Sequence, residues 1–162
     1  MPKIIPEPSM EVVLPPNLNH VYFAQASQHP FQFKDKRFQL VNAWWLAEAA
    51  LLAYAEKDFA IPRYIKAGLN VGGNQPLNAG GSTQCYVIHN QEFVIVAFRG
   101  TQVPKPVAGK IPGELWRQVA KDLLMDAQFR IVVSGQGGSV HEGFKKALDE
   151  VWETLKSYLD GL

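Results

Sequence analysis

Residues 93–101 read Phe-Val-Ile-Val-Ala-Phe-Arg-Gly-Thr. Six consecutive apolar residues followed by a charge and a glycine predict a strand that enters a tight turn, covered on both faces in a helix-flanked sheet. Immediately upstream, Gln84–His89 is a second apolar, β-branched run, joined to Glu92–Phe98 through Asn90-Gln91. Two such runs across a short polar turn predict a hairpin.

Outward from this hairpin, helical and extended patterns alternate. Leu40 to Lys57 reads as a helix rich in Ala, Leu and Glu, with Asn42 as its N-cap and Glu48 the only charge between Ala43 and Ala55. Such a helix should be covered on most sides. A short helix is expected over Pro62–Ala67, stopping at Gly68, and the glycine-rich stretch 68–82 reads as loop. Gln102 to Gly113 is broken by prolines and glycines. Leu115–Leu124 is compatible with a helix and Phe129–Val133 with a strand.

Ser139 followed by Glu142 forms a capping-box pattern at the head of a helix. Phe144, Leu148, Val151, Leu155 and Leu159 then fall on one face, and Gly161 is suited to its C-terminal end. The fold class expected is α/β, with a mixed sheet flanked by helices. Residues 1–40 are expected as an extended, proline-rich N-terminal arm, and 41–162 as the domain proper. Residues 21–37 carry aromatics without a clean period.

Composition narrows the function classes. At 162 residues, 47% hydrophobic and 19% charged, the chain has the makings of one globular domain. A formal charge of +1, with its lysines and arginines scattered, gives no electrostatic footprint for nucleic acid. The single cysteine, Cys85, excludes an intramolecular disulfide and a cysteine-rich metal site, and reads as a small buried hydrophobe. The start lacks the apolar stretch of a signal peptide, and no run reaches transmembrane length, so a cytoplasmic location or signal-independent export is expected.

Several of these segments together resemble the class 3 lipase family of α/β-hydrolases. Asn42 to Tyr54 is similar to the family's first helix, Thr83 to Val87 to its first hairpin strand, and Val94 to Thr101 to its oxyanion strand and turn. Asp122-Leu123-Leu124-Met125-Asp126 resembles its acidic segment, with leucine where tryptophan is usual. Val140-His141-x-Gly143-Phe144 resembles the motif before the nucleophile strand. The resemblance runs from about Val41 to the end and implies the N-terminal half of an α/β-hydrolase fold. It also implies cofactor-free hydrolysis of carboxylic esters, acylglycerols or other lipids, through an acyl-serine.

Carried over residue by residue, Thr101 is the oxyanion-hole residue. Its backbone N–H follows Gly100, and its hydroxyl can add a second donor. His141 is structural, fixing the start of a helix. No G-x-S-x-G occurs: Gly80-Gly81-Ser82-Thr83-Gln84 and Gly137-Gly138-Ser139-Val140-His141 both fail at the last glycine. The chain alone is therefore expected to be inactive. An alternative is a non-catalytic, lipase-derived binding or interaction module.

Other arrangements were open to the sequence. Ser139 and His141, two apart and about 6.6 Å along an extended chain, would share a face, with Asp126 to orient the histidine. That site needs Ser139 free of capping. Cys85 and His89 stand about 13 Å apart on one strand, too far for a thiolate pair. Arg99 should find a carboxylate in Asp122 or Asp126. Trp44, Trp45 and Trp152 read as core, and Trp116 as a candidate lipid contact. The remaining partner expected is a second copy of the chain, joined through an exposed sheet edge along Phe93–Phe98. No metal-ligand spacing or phosphate-binding glycine motif is present.

Overall fold

A computed structural model describes residues 16–78, 83–100, 131–133, 135 and 137–162. The chain divides into two compact units, Met1–Leu77 with Gln84–Arg99, and Asn78–Thr83 with Gly100–Leu162. It combines helices with small antiparallel sheets.

In the first unit, helix α1 spans Leu40–Leu52 and α2 spans Lys57–Lys66. The expected N-cap, Asn42, lies inside α1. Gln39 takes the cap position without a side-chain bond. Asn42 is used otherwise: its Oδ1 accepts from Gln32 N at 2.7 Å and its Nδ2 donates to Gln32 O at 3.1 Å. The helix stops short of the expected Lys57 because Tyr54 and Ala55 donate to carbonyls three residues back, tightening the chain into a corner.

Helix α2 starts five residues before the expected Pro62, which sits inside it. Proline has no N–H to give Asp58, so one helical bond is lost there. Asp58 in the first turn and Arg63 and Lys66 in the last complement the helix dipole. Gly68, at φ +84°, then allows Gly68 N to reach Ile65 O and Leu69 N to reach Tyr64 O, a Schellman stop. The expected end at Gly68 is met.

The stretch 68–82, expected as loop, contains two short strands, β1 (Asn70–Val71) and β2 (Leu77–Asn78). Both pair with β3 (Gln84–His89), whose other edge is filled by β4 (Val94–Phe98). The hairpin is as expected, with Cys85 opposite Phe98 and His89 opposite Val94. Asn90 Oδ1 accepts from Glu92 N and Phe93 N and closes its loop.

Two expectations are corrected here. The sheet is not mixed in its assigned pairings, because β1–β3 and β3–β4 both run antiparallel. Nor is β4 buried on both faces: Ile95 and Ala97 are buried, whereas Val94 and Phe98 are exposed. A strand of unbroken apolar residues carries no period, so composition could not tell one covered face from two.

The core of this unit gathers Trp45, Ala49, Leu52, Ala60, Tyr64, Tyr86, Ile88 and Ile95. Two buried phenols find helix-corner carbonyls, Tyr64 OH donating to Ala49 O at 3.0 Å and Tyr86 OH to Ala55 O at 3.2 Å. From Pro16 onward the segment expected as an extended arm to residue 40 makes successive turns, and it contributes Tyr22, Phe23 and Ala26 to the core.

In the second unit, β5 (Ile131–Val133) pairs antiparallel with β6 (Ser139–His141), and α3 runs over Glu142–Leu159. Gly137 and Gly138, at φ +90° and +82°, make the turn between the strands. Of the expected apolar stripe, Val151 and Leu155 are buried, while Phe144 and Leu148 are exposed; Trp152, expected in the core, is exposed too. Thr83 N donates to Glu150 Oε2 at 3.2 Å. Lys146–Glu142, Lys145–Asp149 and Lys156–Asp160 pair along the helix at four-residue spacing.

Candidate functional site

The turn expected to serve an oxyanion is approached from β4. Arg99 N donates to Gln84 O at 2.8 Å, so the ladder extends one residue past Phe98 and delivers the chain at Gly100. Thr101 itself lies outside the described residues, as do Asp122, Asp126 and Trp116. The anticipated Arg99 carboxylate partners fall in the same region.

The second motif is described atom by atom. Ser139 is not the N-cap: it lies on β6 opposite Val133. The cap is His141, whose Nδ1 accepts from Gly143 N at 3.1 Å. A Cβ on Gly143 would stand 3.1 Å from His141 Cε1 and 3.2 Å from Nδ1. Glycine therefore lets the imidazole lie across the first turn, and the Phe144 ring closes on it at 5.0 Å between centroids. His141 fixes the start of a helix, as expected, and the His-x-Gly-Phe pattern acquires a physical reason.

This arrangement decides the Ser139–His141 alternative. Ser139 is free of capping, which that site required. But a histidine that accepts at Nδ1 carries its neutral proton on Nε2. Neither ring nitrogen is then left to take a proton from serine while the other donates to an acid.

Comparison with protein-family models, with curated proteins and with solved structures finds no match.

Glu48 is the lone charge of the apolar helix α1. It is 6% exposed and holds three donors. His20 Nε2 lies 3.0 Å from both carboxylate oxygens, Trp44 Nε1 donates to Oε1 at 3.0 Å, and Phe23 N donates to Oε2 at 3.2 Å. A buried carboxylate with this many donors is a structural anchor. It ties residues 20–23 to α1. Beside it Tyr22 OH is buried without a well-formed hydrogen bond among the described residues. Burial pushes the Tyr22 phenol up from its usual range; the nearby Asn17 backbone opposes that rise, and the Glu48 charge adds to it.

Cys85 is fully buried, and burial pushes its thiol up to about 11. It behaves as the expected small hydrophobe and not as a nucleophile. Among the described residues no group of His, Cys, Asp and Glu could hold a metal ion, and no helix is long and apolar enough to cross a membrane.

Proposed function

We propose that this chain belongs to a class 3 lipase-like serine hydrolase of α/β-hydrolase fold that cleaves carboxylic esters, acylglycerols among them. The observation that carries the proposal is an ordered pair of motifs. An apolar strand leads into Arg99-Gly100-Thr101, and forty residues on Val140-His141-x-Gly143-Phe144 opens a helix. The hairpin ahead of the first motif and the imidazole cap within the second support this reading. In it, Thr101 donates its N–H, and its hydroxyl where geometry allows, to the oxygen that becomes negative when a serine attacks the ester carbonyl. The reaction needs no cofactor.

Residues 1–162 contain no G-x-S-x-G turn to present that serine. This stretch by itself should therefore show no turnover, since an oxyanion donor stabilises a charge that only a nucleophile creates. The same observation favours a second reading, a lipase-derived module that binds an ester, a lipid or a protein without cleaving it. The test is made on the product of the whole gene. A longer product with a G-x-S-x-G turn should be labelled by a fluorophosphonate and should hydrolyse p-nitrophenyl butyrate. Thr101→Gly should lower its kcat by about a hundredfold, with little change in KM. A whole gene product that neither labels nor turns over would leave the binding module. Esterase activity of residues 1–162 that vanishes in Ser139→Ala would overturn both.

A further inference from the structure

The first unit contains a cleft of about 500 Å³, within the range of small-molecule sites. It is bounded by the turn at residues 21–27, by Pro30 and Phe31, by Trp45 of α1, by the C-terminal end of α2 at Lys66–Gly68, and by the hairpin loop at Asn90–Phe93. None of them takes part in the oxyanion turn or the His-x-Gly-Phe motif, so this inference stands apart from the hydrolase reading.

The cleft is lined by aromatic rings. Phe31 and Phe93 lie 4.7 Å apart between centroids, and Trp45 stands edge-on to both at 6.4 and 6.3 Å. Phe23 adds a fourth ring, 5.1 Å from Trp45. These rings hold one another in place, with Trp45 further fixed by its Nε1–H donating to His29 O at 2.8 Å. The turn at residues 21–27 is held in an unusual conformation. Phe23 and Gln25 have φ of 54° and 63°, a left-handed backbone that side-chain-bearing residues rarely adopt. The Phe23 N–H anchored on Glu48 keeps that turn in place.

Electrostatics select the ligand. Aromatic faces carry negative charge density and attract organic cations. The C-terminal end of α2 lines the same space through Lys66, Ala67 and Gly68. Glu92 lines it from the hairpin loop and forms no ion pair among the described residues. One opposing charge, Lys66, lines the cleft from the helix end. We infer that this cleft binds a small organic cation with an apolar body, of the quaternary or substituted ammonium class, through its aromatic rings and Glu92.

The test compares choline and benzyltrimethylammonium with the uncharged alcohol in which carbon replaces the nitrogen of choline. Binding is read by amide-resolved NMR on the full chain. Saturable shifts at Gly68, Asn90 and Phe93, roughly threefold or more tighter for choline than for the alcohol, are expected. Glu92→Gln should weaken choline by a similar factor, and Lys66→Gln should strengthen it. Both side chains are exposed, so neither change threatens the fold. Equal binding of the alcohol, no effect of Glu92→Gln, or no saturable shift at the cleft with either cation would each overturn the inference.

Discussion

Glu48→Ala should destabilise the first unit far more than an ordinary surface change. The carboxylate serves one fully buried donor, Phe23 N, and two partly buried ones, Trp44 Nε1 and His20 Nε2. Leaving a buried N–H unsatisfied costs about 1–3 kcal/mol. The indole and imidazole reach water more easily and should lose roughly 1 kcal/mol each. The total is about 3–5 kcal/mol, a large share of the roughly 5–15 kcal/mol that holds a domain together. Urea unfolding followed by tryptophan fluorescence reads the change, since Trp44 and Trp45 both sit in this unit. With a slope of about 2 kcal/mol per molar, the midpoint should fall by roughly 2 M. Two controls separate the contributions. Glu48→Gln keeps one acceptor oxygen but turns an NH₂ toward a donor, so about half the loss should appear. His20→Ala leaves two donors on a carboxylate that water can now reach, and should cost about 1 kcal/mol. If Glu48→Ala stays within 1 kcal/mol of the parent, the anchor reading is wrong.

Gly143→Ala should forgo the roughly 0.5–1 kcal/mol that replacing a helical glycine normally yields, because the new methyl displaces the His141 cap; in a His141→Ala background the gain should return, as thermal melts of the four variants would show. The chain should weaken in alkali. Burial raises the Cys85 thiol to about 11 and the Tyr86 phenol to about 12, and raises Tyr64 as well. The folded state therefore holds protons that the unfolded chain releases from about pH 9 upward, and stability falls as pH rises through that window. Melting temperatures that stay flat to pH 12 would refute it. Self-association is expected through β4. Arg99 N and Phe93 O bond toward β3, so by alternation Val94, Val96 and Phe98 direct their N–H and C=O outward. Nothing among the described residues pairs with that edge, and no charge guards it. Val96→Lys should shift sedimentation toward monomer, and an unchanged monomer in the parent would remove the edge from consideration.

How much of this was legible in the sequence depended on whether the signal was local. The β3–β4 hairpin was readable because alternating blocks of β-branched residues and an Asn-Gln turn act on their immediate neighbours. The Gly68 stop was readable for the same reason. The start of α3 was misplaced by a local competition. Ser139 and Glu142 satisfy the capping-box pattern, but Ser139 is claimed by the ladder opposite Val133, and a histidine two residues on takes the cap. Histidine is an uncommon cap, and only Gly143, which leaves room for its ring, reveals it.

The reading of residues 16–39 failed for a different cause. Their order comes from α1, not from themselves. Left-handed Phe23 and Gln25 carry no glycine signature, and a turn built on them persists only because something else holds it. Glu48 does that through Phe23 N, and Asn42 does it again at Gln32. Both polar residues stand out in an otherwise apolar helix. A lone carboxylate there must be either exposed or saturated with donors, because a bare buried charge is not tolerated. With every neighbour within four residues of Glu48 lacking a positive charge, the donors had to come from another segment. The nearest candidate upstream was the aromatic, histidine-bearing stretch that shows no period of its own. The same two facts, an irregular segment and an orphan polar residue on the next helix, are thus one signal, and together they predict the contact that neither predicts alone.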